Sequence, residues 1–212
     1  ALEWNRSSCP GGLYISTDRG ATWKLTEPVG TAFWQNQLAA MKTEADSFIY
    51  AIASDDYENS GHSLYSSSDN GTDWTQPLQN CERIATGSNG NAYAICGSLY
   101  HSTDGISWES TGELPTGTNS QTIAVSPHDP NTILLGGSGL YLSNDGGRTW
   151  EGRNSGLPAF RLGLNLNPND PNTFYAYHSG FGGEWSGYSR LYESSDSGQN
   201  WMTLTDTGAG LT

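Results

Sequence analysis

This 212-residue chain has little positive charge: nine Lys and Arg stand against 22 Asp and Glu, a formal net charge of -13. Lys24 and Lys42 are its only lysines. So acidic a surface disfavours polyanions, so neither nucleic acid nor an anionic membrane is expected as a partner. Long apolar runs are also missing. No stretch approaches the ~20 residues of a membrane span, and no sustained 3.6-residue apolar period points to helices. Cysteine is scarce. The three residues, Cys9, Cys81 and Cys96, form no C-x-x-C pair and have no histidine at ligand spacing, so no metal or other cofactor is expected. Nor does any nucleophile-elbow or triad context surround a serine or cysteine.

What the chain does contain is repetition. Leu13-Tyr14-Ile15-Ser16-Thr17-Asp18-Arg19-Gly20-Ala21-Thr22-Trp23 sets a pattern that returns around Asp69–Trp74, Asp104–Trp108, Asp145–Trp150 and Asp196–Trp201. The aspartates fall 51, 35, 41 and 51 residues apart, the period of a four-stranded propeller blade. Tyr14 and Ser16 share one strand face and Leu13 the other. Gly20, Gly71, Gly147 and Gly198 follow the aspartate by two residues, where a positive φ is cheap for glycine. The Asp carboxylate can accept backbone N–H groups across such a turn. The Trp then opens the next strand and buries a large apolar area between sheets. The third copy, Ser102-Thr103-Asp104-Gly105-Ile106-Ser107-Trp108, is one residue shorter, so its turn must be tighter or shaped differently.

A second phrase accompanies the first. Ser126-Pro127-His128-Asp129-Pro130-Asn131-Thr132 recurs as Asn167-Pro168-Asn169-Asp170-Pro171-Asn172-Thr173, again between strand-like runs. Gly 27, eight Trp, 11 Tyr and only 34% apolar residues agree with an all-β chain whose core is rich in aromatics. The reading is one domain over 1–212, a five-bladed β-propeller of four-stranded antiparallel blades. Its blades would span 1–27 plus 205–212, 28–78, 79–112, 113–155 and 156–204. The C-terminal strand, Thr205 to Thr212, would supply blade one's missing strand and close the ring.

The repeat resembles the Asp-box (BNR) motif, Ser-x-Asp-x-Gly-x-Thr-Trp, of the sialidase, xyloglucanase and sortilin-type propellers. The resemblance covers all five copies. It implies a structural turn between the third and fourth strands of each blade, remote from the active face. Sialidase activity itself is not expected: the Arg-Ile-Pro signature is absent, and Arg6 and Arg161 are the only arginines placed to clamp a substrate carboxylate.

Cys81 and Cys96 flank a hairpin-like stretch, Arg83 to Ala94. A two-residue loop at Ser88-Asn89 would set them directly opposite, and an Asn-Gly turn would offset them. A disulfide between them is expected, with Cys9 outside it. A first residue that is not Met and the sequons at Asn5 and Asn70 agree with a secreted, extracellular glycoprotein.

Function should reside in the loops, because the fold hosts many activities. On the face without Asp-box turns, two connections are long. One runs from Ser54 through Asp55, Asp56, Tyr57 and Glu58 to His62. The other runs from His178 through Phe181, Glu184, Trp185 and Tyr188 to Ser189. In a five-membered ring both flank blade one, forming an asymmetric cleft. Phe181, Trp185, Tyr188 and Trp34 offer flat faces for sugar rings. Asp55, Asp56, Glu58 and Glu184 offer acceptors for hydroxyls, and Tyr57, His62, His178, Arg6 and Arg161 complete the candidate ligand-binding set. The expected partner is an oligo- or polysaccharide bound in lectin fashion. The alternative is a glycoside hydrolase or polysaccharide lyase, with two of Glu184, Asp55 and Asp56 about 5–9.5 Å apart as its catalytic carboxylates. A second alternative is a protein-interaction module. The plain alternative for every one of these residues is self-packing of solvated, glycine-rich loops.

Overall fold

The computed structural model describes residues 13–26, 32–44, 46–54, 61–88, 90–116, 122–158, 162–178 and 189–207, with the backbone alone at 32–36, 178, 189 and 205–207. These residues form strands and no helix. A two-stranded sheet comes first, β1 (Leu13–Ile15) and β2 (Lys24–Thr26). The second sheet holds β3 (Ala32–Lys42), β4 (Ser47–Ser54), β5 (His62–Ser67) and β6 (Thr75–Leu78). The third holds β7 (Arg83–Thr86), β8 (Ala92–Cys96), β9 (Ser98–Ser102) and β10 (Glu109–Gly112). In the fourth are β11 (Thr122–Val125), β12 (Ile133–Gly136), β13 (Leu140–Ser143) and β14 (Glu151–Gly152). The fifth contains β15 (Gly163–Leu166), β16 (Phe174–His178), β17 (Ser189–Ser194) and β18 (Met202–Thr207).

Each sheet is antiparallel and pairs in chain order. Their first strands pack side by side, β3 on β7, β7 on β11 and β11 on β15. Sheets that radiate from adjacent inner strands are the packing of a β-propeller.

The core lies between sheets. On β12, Ile133 and Leu135 meet Tyr93, Ile95 and Leu99 of the third sheet. Leu134 points the other way and joins Leu140 and Leu142 against Phe174, Ala176 and Tyr192 of the fifth. Alternation sends successive side chains to opposite faces, and because both faces are covered the strand reads as an unbroken apolar run.

Every turn tryptophan from the second sheet onward packs on the sheet before it. The Trp74 indole N–H reaches Thr26 Oγ1 at 3.4 Å, Trp108 meets Tyr50 edge-on, and Trp150 joins the Tyr93–Leu99 cluster. The Trp201 indole donates to Arg153 O at 3.0 Å. Trp201 is 7% exposed, but Trp23 is 63% exposed, which corrects the expectation that every copy buries its Trp. Among the described residues no sheet precedes β1, so Trp23 has nothing to pack on. Tyr14 and Leu25, paired across β1 and β2, are exposed on the same outer face. At the opposite end of the array, Tyr177, Leu191, Met202 and Leu204 are exposed on the fifth sheet.

Residues 205–207 also depart from expectation. They extend β18, with Leu191 opposite Thr205 and Ser189 opposite Thr207, instead of starting a strand of the first sheet. β17 runs long enough to keep them paired. Residues 208–212 lie outside the described set.

Candidate functional site

The two ends of the sheets differ in chemistry. One end carries the five Ser-x-Asp turns, four of them built on one frame. In the fourth sheet, Ser143 Oγ donates to Asp145 Oδ1 at 2.8 Å and accepts the Gly147 N–H at 2.8 Å. Asp145 Oδ1 accepts the Thr149 N–H at 2.9 Å, and Oδ2 accepts the Thr149 hydroxyl at 2.6 Å. Asp18, Asp69 and Asp196 likewise accept the N–H four residues on, and Asp18 and Asp196 also accept a side-chain donor there, the Thr22 hydroxyl and the Asn200 amide. Two successive left-handed residues make the bend: Arg19 and Gly20, Asn70 and Gly71, Gly146 and Gly147, Ser197 and Gly198. The short third copy closes with Gly105 alone at positive φ, immediately after Asp104.

The turns at the Pro-Asn phrases lie at this same end and are tied to their neighbours. Asn131 O accepts the Gly146 N–H at 3.0 Å, and Asn172 O accepts the Ser197 N–H at 2.9 Å. The turn carboxylates are therefore spent on structure. The Thr149 hydroxyl and N–H hold Asp145 down to about 2, and the Thr22 hydroxyl and N–H do the same for Asp18. Because the folded value is depressed, this contribution to stability is present above the ordinary carboxylate value of 3.8 and is lost as pH falls through about 2. In a carbon-13 NMR titration the Asp145 carboxyl should show a midpoint near 2, moving toward 3.8 in Thr149→Val. An unmoved midpoint in that variant would remove the hydroxyl as the cause.

At the other end lie the connections expected to carry function. Gly97 alone joins β8 to β9, and 137–139 join β12 to β13, whereas 55–61 join β4 to β5 and 179–188 join β16 to β17. Two long connections thus leave the same end of the array as two minimal ones. The strand ends that launch them are described: Ser54 pairs with His62, and His178 pairs with Arg190. His62 sits at the foot of the first loop, and its buried Nε2 has no hydrogen-bond partner among the described residues. Trp34 lies on β3 and His178 ends β16, both described by backbone alone. Asp55, Asp56, Tyr57, Glu58, Phe181, Glu184, Trp185, Tyr188, Arg6, Arg161 and Asn5 lie outside the described residues. Asn70 sits in the second Ser-x-Asp turn, exposed and left-handed.

Two features of this end bear on the loops, the first expected from the sequence and the second not. The disulfide lies here: Cys81 and Cys96 are joined at 2.05 Å, and the Cys81 N–H donates to His62 O at 2.7 Å. The link therefore pins the chain beneath the 55–61 loop. Its register differs from the two-residue-loop expectation. Arg83 pairs with Ile95 and Thr86 with Ala92, and the Gly87 N–H donates to Asn91 O at 2.8 Å, leaving three residues, 88–90, in the hairpin loop and Cys81 out of step with Cys96. The extra residue comes with Gly90 at positive φ. The second feature is Tyr177, 53% exposed beside the 179–188 loop. Its ring covers Gly163, where a Cβ would collide with it, so the ring has one face packed and one free.

No family model matches the chain, and no curated protein matches it in sequence. Solved structures do match in shape. An ancestral GH74 enzyme aligns over 85% of this chain with a TM-score of 0.61 and 11% identity. The β-propeller domain of the Trilobed protease from Pyrococcus furiosus, described as having an open velcro topology, aligns over 81% with a TM-score of 0.51 and 7% identity. A Hadza microbial sialidase aligns over 92% with a TM-score of 0.50 and 16% identity. The chain spans 29%, 58% and 52% of those structures respectively. At such identities the likeness speaks to fold alone: the chain is an all-β protein with the architecture of the β-propellers found in GH74 enzymes and sialidases.

Proposed function

We propose that this is a secreted carbohydrate-binding propeller of the Asp-box kind, recognising glycan between the 55–61 and 179–188 loops. The observation that carries the reading is the asymmetry at the end of the sheets opposite the Ser-x-Asp turns, where two long connections rise beside two minimal ones. The long loops hold Phe181, Trp185 and Tyr188 for stacking, and Asp55, Asp56, Glu58 and Glu184 as acceptors for hydroxyls. In this reading the ring closes: the Tyr14, Trp23 and Leu25 face meets the fifth sheet, and the segment after β18 completes the first. The two loops then flank the same sheet and enclose one cleft, with Trp34, Tyr57, His62, His178, Arg6 and Arg161 at its margins. The disulfide and the sequons at Asn5 and Asn70 support an extracellular setting.

A second reading, a glycoside hydrolase or polysaccharide lyase, draws support from the fold shared with GH74 enzymes and sialidases. It requires two carboxylates among Glu184, Asp55 and Asp56 to face one another across the cleft. A protein-interaction module would use the same face for a peptide.

The test is a glycan array read together with reducing-sugar release. Trp185→Ala should weaken glycan binding several-fold, at least ~1 kcal/mol, with thermal stability nearly intact. Glu184→Gln should abolish sugar release if the protein is a hydrolase, while a lectin keeps most of its affinity. Parent-like affinity in Trp185→Ala would place the site elsewhere.

A further inference from the structure

A groove opens at the other end of the molecule, between the second and third sheets. It has a volume of about 410 Å³ and is lined on one side by Ser66, Asp69, Asp73 and Pro77 and on the other by Ile106, with Phe48 as floor. A smaller cavity of about 120 Å³ lies at the equivalent place on the fourth sheet, lined by Leu142, Asn144, Asp145, Thr149 and Glu151. The two sets are equivalent by repeat position: Ser66 stands where Leu142 stands, three residues before the turn aspartate, and Asp73 stands where Thr149 stands, four residues after it.

Two sequence differences accompany the wider groove, and a third changes its polarity. Ser66 puts a hydroxymethyl where Leu142 puts an isobutyl group. The opposing turn is the short copy, with Gly105 and Ile106 in place of the longer Ser197-Gly198-Gln199 bend. Asp73 also changes the polarity of the rim. Thr149 spends its hydroxyl on Asp145, but an aspartate cannot donate a proton to Asp69. The Asp73 carboxylate is therefore left to the groove. The larger volume falls within the range of ligand-binding pockets, and the smaller falls below it.

We propose that this groove is a second binding site, for a peptide segment of a protein partner that presents one apolar side chain beside a lysine or arginine. Phe48 is 4% exposed at the base, and Ile106 and Pro77 form apolar walls, so the floor accepts an aliphatic or aromatic group. Asp73 on the rim, in a chain of net charge -13, supplies the counter-charge for the cation. Ile106 is 71% exposed, a large apolar side chain that the fold itself leaves uncovered. The site is independent of the glycan reading, since it lies at the turn end and shares no residue with the long loops.

The probe is a capped Gly-Phe-Lys-Gly peptide titrated into the nitrogen-15-labelled full chain to about 5 mM, weak binding being expected of so small a ligand. Saturable amide shifts should appear at Ser68, Asp73, Gly105 and Ile106, and a capped Gly-Phe-Glu-Gly peptide should bind at least about fivefold more weakly. Ser66→Leu installs the residue found in the closed groove and should abolish the shifts. Asp73→Thr, a surface change to the residue at the equivalent position, should weaken Gly-Phe-Lys-Gly by about fivefold and erase the preference between the two peptides. Should Ser66→Leu fail to fold, the Asp73→Thr comparison decides alone. No saturable shift at these amides overturns the site, as does unchanged affinity in a folded Ser66→Leu. Equal binding of the two peptides by the parent overturns the assigned partner chemistry.

Discussion

Trp201→Ala is expected to lower unfolding free energy by about 3–5 kcal/mol, the range for truncating a buried aromatic. Trp201 is 7% exposed, packs with Phe174, Tyr192 and Leu142, and donates its indole N–H to Arg153 O and Gly198 O. The loss therefore combines a cavity between two sheets with two carbonyls deprived of a donor. Trp23→Ala supplies the contrast. It occupies the same place in the repeat but is 63% exposed, so its removal costs less than about 1 kcal/mol if the first and fifth sheets stay apart, and approaches the Trp201 loss if the ring of the proposed function closes over it. Urea unfolding of the two variants checks the pair. Similar large losses would mean that Trp23 is covered in solution, which is what ring closure between the first and fifth sheets requires.

Loss of the Cys81–Cys96 link is expected to have the next largest effect. The bridge closes a loop of 15 residues, for which the chain-entropy account gives about 3 kcal/mol. A Cys81→Ser, Cys96→Ser double variant should show that loss in urea unfolding. The parent's intact mass, taken without reductant, should be two hydrogens below that of the fully reduced chain, with one reactive thiol, at Cys9. Three free thiols under native conditions would rule the link out. A double variant as stable as the parent would mean that the Cys81 N–H bond to His62 O and the pairing of β7 with β8 already hold this corner.

Local chemistry explains what was legible in the sequence. In the Ser-x-Asp turns every key partner lies within about one turn of chain. Ser143, Asp145, Gly147 and Thr149 bond to each other whatever packs around them. A five-fold phrase of that kind announces its geometry and, through its spacing, the up-and-down sheets on either side. The Pro-Asn turns and the alternation along β12 were readable for the same reason. The pairing of Cys81 with Cys96 followed from a hairpin between them, yet its register did not. One residue more in the 88–90 loop shifts every pair from Arg83 to Thr86, and a Ser-Asn-Gly string is compatible with either count.

The tertiary structure decided what depends on residues brought together from different sheets. Whether a turn tryptophan is buried depends on the sheet that precedes it, which is why Trp201 and Trp23 differ although both close a Ser-x-Asp-x-Gly turn. The width of the groove at Asp73 depends on Ser66 of β5 meeting the short turn at Gly105, a pairing that only sheet-to-sheet packing creates. The foot of the 55–61 loop is held by a disulfide and a hydrogen bond from the next blade. Short-range hydrogen bonds are written in consecutive residues. Surfaces between sheets are set by volume and shape across long sequence separations, so the repeat determined the fold while the packing of its unequal copies determined where the surface opens.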